Sequence, residues 1–385
     1  MLMGGVARKK VLLIGMVDSV HVARWLRQFV DLPIDFTLFP ATPNRRVHPG
    51  VEELIQQRDI EMSVTLPRVL RYSSLLIGVV DIFLSNRVKG KLLRRVALKG
   101  DFDVIHAQQL QAAGYIALRA FETHKPAMLI SSCWGCDITW FSRFPSHADR
   151  LRRLIAITDC FSAECDRDVQ LVRQMGYVGT VLPTIPVAGR LDVDRITMRY
   201  KALPPSQRGV ILIKGYDQFL GLAPMALAAL ECIADDVREY RIVFYSTSRR
   251  MRRKVRQAAL RTGLTIDTYQ KHALGHEQML ELFSAARVYI GLSAGDGMPA
   301  SMMEAMATGC YPIQTATSCA DEWVSDTRSA TLIHEPSVAA VAVALQEALT
   351  DDVLVDRAAQ VNREAIRVRM RTVQIIPAIH HFYGY

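Results

Sequence analysis

Two carboxylates, Asp296 and Glu304, stand at either end of a short stretch that glycine and proline would shape, Asp296-Gly297-Met298-Pro299-Ala300-Ser301-Met302-Met303-Glu304. Gly295 and Gly297 permit a tight turn and close approach of a ligand to the backbone. Pro299 suits the first turn of a helix, where its missing N–H costs nothing. Gly309 suits the position just past the helix end. The amides of Ala300, Ser301 and Met302 then become open donors at a positive dipole end, which favours an anion. Either acid alone reads as a turn residue or a solvated helix position. With the glycines, the proline and the preceding apolar run Val288–Leu292, they read together as a binding site. Lys214 ends another apolar run, Val210–Lys214, beside Gly215, and is placed to meet a phosphate. An ordinary strand-end lysine is the alternative.

The N-terminal half carries a second set. His21 lies in the first strand-to-helix connection, His106 ends the run Val104-Ile105, and Trp134-Gly135-Cys136-Asp137 follows the run Ala127–Ser131. A doubly wound domain presents its ligands at such strand ends. Cys133-Trp134-Gly135-Cys136 matches a Cys-x-x-Cys pattern. The irregular spacing to Cys160 and Cys165 argues against a metal or redox centre, and no metal is expected.

These residues need a scaffold that gathers strand ends. Short apolar runs alternate with amphipathic stretches along the chain, the rhythm of parallel sheets with covered faces. Pro183, Pro186, Gly189, Pro204 and Pro205 bracket a polar stretch, and the rhythm restarts after it. The expected fold is α/β, with two doubly wound Rossmann-like domains facing across a cleft. Residues 1–190 form one and 205–368 the other, with 370–385 packing back on the first. The cleft is the expected ligand site.

A chain of 385 residues, half of them apolar, needs no disulfide framework to build two cores. Seven cysteines, an odd number, suit a reducing, cytoplasmic setting. The apolar run after Lys9-Lys10 stops at Asp18 and reads as a buried first strand rather than a signal segment. Leu75–Leu84 contains Asp81 and falls short of the ~18 apolar residues a membrane span needs. The net charge of +9 suits an anionic partner. Residues 68–99 mix eight cations with an apolar group, which fits either an anionic membrane surface or a core helix with solvated ends. A second basic cluster, Arg249–Arg261, reads as a solvated helix face, with contact to nucleotide phosphates as the alternative. No nucleic-acid-binding module is present, and charge alone is not one.

The 293–309 segment resembles the Glu-x7-Glu signature of retaining glycosyltransferases of the GT-B fold, family 4, also called group 1 glycosyl transferases. Asp296 stands where the first Glu is usual, and Glu304 matches the second. Tyr311-Pro312-Ile313-Gln314 is similar to the family's next strand, and Glu322 matches the acid after it. Trp134-Gly135-x-Asp137 resembles a variant of the family's His-Gly-x-Asp. Ser329-Ala330 replaces the usual Asn-Gly, and Leu222 stands where related sequences often carry Arg.

The resemblance implies transfer of a sugar from a nucleotide diphosphate sugar to a sugar, lipid-linked or other hydroxyl acceptor. It implies retention at the anomeric carbon through a front-face displacement, in cell-surface polysaccharide or glycoconjugate synthesis. Glu304 would hold the ribose hydroxyls. Asp296 would meet the donor sugar, and Asp137 would join the two acids at the reacting centre. Lys214, Gly215, Gly297, Met298, Pro299, Ala300, Ser301 and Met302 would line the donor site. His21, His106, Trp134 and Asp137 would face the acceptor. No cofactor or metal is implied, and the enzyme would be cytoplasmic or peripheral on the inner face of the membrane. A nucleotide-sugar epimerase of the same architecture and a non-catalytic GT-B partner are the alternatives.

Overall fold

The computed structural model describes residues 8–42, 47–57, 63–64, 86–185, 191–324, 328–370 and 372–384. Residues 68–85, including Leu75–Leu84, lie outside the described residues, so only Asn86–Lys99 of the basic segment 68–99 is placed. The chain divides into two compact units, residues 1–189 with 375–385, and residues 190–374. No helix among the described residues is long and apolar enough to cross a membrane.

The first unit opens with β1 (Lys9–Gly15), α1 (Val20–Arg27), β2 (Ile34–Pro40), α2 (Pro49–Gln57), β3 (Ser63–Val64) and α3 (Arg87–Lys99). It continues with β4 (Val104–Gln108), α4 (Tyr115–Phe121), β5 (Met128–Ser132), α5 (Pro145–Ile157), β6 (Cys160–Ser162), α6 (Asp166–Gln174) and β7 (Thr180–Val181). Among the described residues its seven strands are parallel, in the order β3-β2-β1-β4-β5-β6-β7. The run Val11–Ile14 is apolar throughout because β1 is central and covered on both faces, each of the four residues being fully buried.

The second unit follows the same plan. It contains α7 (Val193–Tyr200), β8 (Val210–Lys214), α8 (Ala223–Cys232), β9 (Arg241–Thr247), α9 (Arg249–Thr262), β10 (Ile266–Gln270) and α10 (His276–Ala285). Then come β11 (Ala286–Gly291), α11 (Ala300–Thr308), β12 (Tyr311–Thr315), β13 (Thr331–Ile333), α12 (Val338–Thr350) and α13 (Asp352–Arg369). Among the described residues the six parallel strands run β10-β9-β8-β11-β12-β13. Helix starts are set by side chains: Ser248 Oγ accepts from Met251 N–H at 2.9 Å, Ser337 Oγ from Ala340 N–H at 3.1 Å and Asp351 Oδ1 from Leu354 N–H at 2.8 Å. Each such cap is worth about 1 kcal/mol. One apolar core joins β8, β9 and β11 to α8, α9, α12 and α13.

The last helix, α14 (Thr372–Phe382), returns the chain to the first unit. Tyr383, fully buried, accepts from Trp25 Nε1–H at 3.1 Å and lies 2.7 Å from His106 Nδ1. His106 Nε2 in turn lies 2.7 Å from Ser132 Oγ. The assignment that leaves no donor idle has the Tyr383 hydroxyl donating to Nδ1 and Nε2–H donating to Ser132. Phe29, Phe36 and Phe382 pack around this chain of bonds.

Candidate active site

In each sheet the chain winds one way from its first strand and then returns to add strands on the other side. Loops on either side of that reversal part, and the crevice they leave at the strands' carboxyl ends is where ligands settle in open α/β sheets. In the second unit the reversal lies between β8 and β11. Lys214 is the last residue of β8 and Asp296 lies in the loop after β11. Lys214 Nζ is 3.6 Å from Asp296 Oδ2 and lies over the Tyr216 ring, 4.9 Å from its centre. Burial pulls the ammonium toward neutrality, but the Asp296 carboxylate more than offsets this and holds it above its usual value, charged.

The two loops are stitched together by backbone. Ala294 N–H donates to Leu220 O at 2.7 Å and Leu222 N–H to Leu292 O at 3.1 Å, around a bridge between Gly221 and Ser293. Only glycine fits at 221, because a Cβ there would come 2.4 Å from Tyr216 O. The same is true of Gly215, where a Cβ would meet Tyr245 O at 2.7 Å while the Gly215 amide donates to that oxygen. Leu222 packs against the apolar core, so no cation stands at that position.

Asp296 Oδ1 accepts from the Gly297 amide at 3.0 Å, and Gly297 O accepts from Cys319 N–H at 3.1 Å. Pro299 is the N-cap of α11 rather than its first helical residue. That shift has a consequence: Met302 N–H already donates to Pro299 O at 2.8 Å. Of the three amides expected to be open, those of Ala300 and Ser301 are the pair left at the helix start. Met298 and Met302 are buried and form the floor of this turn instead of exposing side chains. The far end behaves as expected, with Gly309 in the left-handed conformation at φ 80°.

Glu304 lies one turn into α11 and is almost wholly buried. Its Oε1 meets His276 Nε2, from the first turn of α10, at 3.1 Å. The buried Tyr245 and Tyr289 phenols line the same region. Burial, together with Tyr289 and Glu304, holds the Tyr245 hydroxyl well above its ordinary value. Burial also pushes Tyr289 up to about 12, against the pull of Lys214. Both phenols are therefore neutral hydrogen-bonding groups at neutral pH. His276, Tyr245 and Tyr289 were not among the residues singled out from the sequence. In sequence His276 carries the signal of a helix start and Tyr245 that of a strand's last residues, whereas Tyr289 lies inside β11 and carries none.

The first-unit candidates separate into two groups. His21 and Trp134 are both half-buried and meet edge to face, ring centres 6.1 Å apart. His106 and Asp137 are buried and hydrogen-bonded within the first unit. His106 is fully buried, with both ring nitrogens engaged internally, and burial lowers its pKa to about 3. Asp137 is also buried, and its Oδ2 accepts from Leu110 N–H at 2.8 Å and Trp134 N–H at 3.0 Å, bracing the turn that carries Trp134. Burial pushes its carboxyl up to about 7, although those two bonds oppose the shift. Cys133 is buried, and its thiol donates to Asp168 Oδ2 at 3.5 Å. Neither Cys133 nor Cys136 is in a disulfide. Gln108, which the sequence did not flag, ends β4 beside Gly15 at the first sheet's reversal. Its buried side-chain amide has no hydrogen-bond partner among the described residues.

Residues 214–367 match the family model of glycosyl transferases group 1. The match begins at Lys214 and takes in Asp296, His276 and Glu304. No curated protein matches the chain. Among solved structures, the sucrose-phosphate synthase of Thermosynechococcus elongatus is similar over 98% of each chain, with 15% identity and a TM-score of 0.70. Anabaena HepE, solved in complex with UDP and glucose, matches over 97% of this chain and 98% of its own, with 14% identity and a TM-score of 0.66. A mutant of S. aureus TarM in complex with fondaparinux, α-GlcNAc-glycerol and UDP matches over 98% and 100%, with 10% identity and a TM-score of 0.70. The shared architecture is the two-domain α/β fold called GT-B, and the second unit carries the group 1 glycosyl transferase pattern.

Proposed function

We propose that this chain is a retaining glycosyltransferase of family 4 that moves a sugar from a nucleotide diphosphate sugar to a hydroxyl acceptor, in glycoconjugate or cell-surface polysaccharide synthesis. The observation that carries the reading is the convergence of Lys214, Asp296, the start of α11 and Glu304 at the reversal of the second sheet. Complexes of similarly folded proteins with UDP and sugars support the same ligand class.

In this reading each group has a separate task. Glu304 accepts from the ribose hydroxyls. The Ala300 and Ser301 amides and the Lys214 ammonium meet the diphosphate, whose charge grows as the bond to the sugar breaks. Fixed donors aimed at that charge stabilise the transition state more than the ground state. Asp296 orients Lys214 and meets the donor sugar's hydroxyls. The departing diphosphate takes the acceptor proton, so no protein nucleophile and no metal is required. His21 and Trp134 offer the first unit's surface for a sugar or lipid-linked acceptor, an aromatic face that a pyranose ring can cover. The placed part of 68–99 supplies cations toward an anionic membrane from the cytoplasmic side.

The test is to incubate the protein with nucleotide diphosphate sugars and candidate acceptors, following nucleotide release and the anomeric configuration by NMR. Release coupled to a product of unchanged configuration is the expected result. An inverted product would remove the retaining assignment. Isomerised donor without transfer would point to an epimerase, and bound donor that never turns over to a non-catalytic partner.

A further inference from the structure

We propose that helix α9 is a docking face for an anionic phospholipid bilayer. Its sequence, Arg249-Arg250-Met251-Arg252-Arg253-Lys254-Val255-Arg256-Gln257-Ala258-Ala259-Leu260-Arg261-Thr262, holds seven cations and no acid. Helical spacing sorts these residues. Met251, Val255 and Ala258 lie on one face and are buried against the second unit's core. Arg249, Arg253, Arg256 and Leu260, at i, i+4, i+7 and i+11, fall on one line along the opposite face. All four are exposed, Leu260 by 82%.

The cations on that line are not used within the protein. Arg261 pairs with Glu231, and Arg252 donates to Thr247 O at 3.2 Å. Arg249, Arg250, Arg253, Lys254 and Arg256 have no acid within ion-pair distance among the described residues. Crowding like charges on one helix is unfavourable unless a counter-charge neutralises them. The fold therefore presents a cationic ridge that an external anion can neutralise.

Leu260 decides which anion. A polynucleotide would meet the arginines with phosphates and leave the leucine in water. A bilayer takes both, with guanidinium groups at the headgroup phosphates and the leucine below them. The placement on the fold is consistent with use. The helix begins directly after β9, the neighbour of β8, so Arg249 stands on the same strand-end rim as Lys214. A bilayer seated on α9 lies alongside that rim.

The experiment is co-sedimentation of the full chain with vesicles of phosphatidylglycerol and phosphatidylcholine, against vesicles of phosphatidylcholine alone. Wild type should pellet with the anionic vesicles only, and should be released as salt shortens the screening length from ~10 Å at 0.1 M to ~3 Å at 1 M. The R249Q/R253Q/R256Q variant should bind on the order of 100-fold more weakly. Leu260→Ser should weaken binding while leaving the salt dependence unchanged. Arg261→Gln/Glu231→Gln should bind like wild type, because it removes an internal ion pair and leaves the net charge unchanged. Equal pelleting with neutral vesicles, undiminished binding by the triple variant, or an equal loss in Arg261→Gln/Glu231→Gln would overturn the proposal. So would an RNA oligonucleotide that binds tightly while anionic vesicles do not. The exposed substitutions leave the core untouched, and matching circular dichroism melts would show that the variants are folded.

Discussion

His276 Nε2 lies 3.1 Å from Glu304 Oε1, so the carboxylate assigned to the ribose is steered from α10 and not only from its own helix. The imidazole is about half exposed, its side chain 47% accessible, while that of Glu304 is 8% accessible. A hydrogen bond to a charged group contributes about 1.5–3 kcal/mol. His276→Ala should therefore weaken nucleotide-sugar binding by roughly 10-fold, with a smaller effect on kcat. His276→Gln, which keeps an N–H donor, should recover most of the affinity. Titration calorimetry with the best donor checks both, and unchanged affinity in His276→Ala would show that Glu304 needs no such support.

Lys214 has a different signature. If its ammonium meets the diphosphate as proposed, Lys214→Met should lower kcat by about 100- to 1,000-fold while changing KM less. The variant also leaves the Asp296 carboxylate without its cation, so Lys214→Met/Asp296→Asn is the informative double change. If the loss falls on KM alone, Lys214 serves binding and not the chemical step.

The buried His106 makes the first unit sensitive to acid. Burial lowers its pKa from 6.5 to about 3. Between those values the unfolded chain binds a proton that the folded one does not. Stability is therefore full above about pH 6.5 and is lost as pH falls toward 3. At about 1.4 kcal/mol per pKa unit, the loss is on the order of several kcal/mol. His106→Gln should be less stable at pH 7, from the broken bonds to Tyr383 and Ser132, yet decline less steeply between pH 6.5 and 4. Denaturant unfolding across that range measures it, and parallel curves for the two proteins would contradict the assignment.

Asp137 acts with the opposite sign. Its carboxyl is raised from 3.8 to about 7, so the folded state holds a proton that the unfolded state has released. Its contribution is fullest below about pH 4 and is lost as pH rises through 7. Asp137→Asn can still accept from the Leu110 and Trp134 amides, and it should gain stability relative to wild type as pH rises from 4 to 7. A difference independent of pH would show that the carboxylate is ionised throughout.

Much of the scaffold was legible because fully covered parallel strands must be apolar along their length. The strand Val210–Lys214 has the bounds of the apolar run read from the sequence. The start of α11 was misjudged by one residue, since Pro299 suits either the cap or the first turn, and that changed which amides stay open. Asp296, Glu304 and Lys214 could be nominated from local chemistry, but the ion pair between Lys214 and Asp296 spans 82 residues and depends on strand order. His106 looked like a ligand-facing residue because it comes near a strand end. Its burial depends on Tyr383, 277 residues later, and no local pattern announces that partner.

Under the proposed function, Glu304 belongs to a nucleotide site. Titrating the full chain with nucleoside diphosphates and their sugars, alongside Glu304→Ala, tests it most directly. Wild type should bind, and the variant should lose at least roughly 10-fold, because two ribose hydroxyls lose a charged acceptor. Equal affinity in the two proteins, with the variant folded, would contradict it.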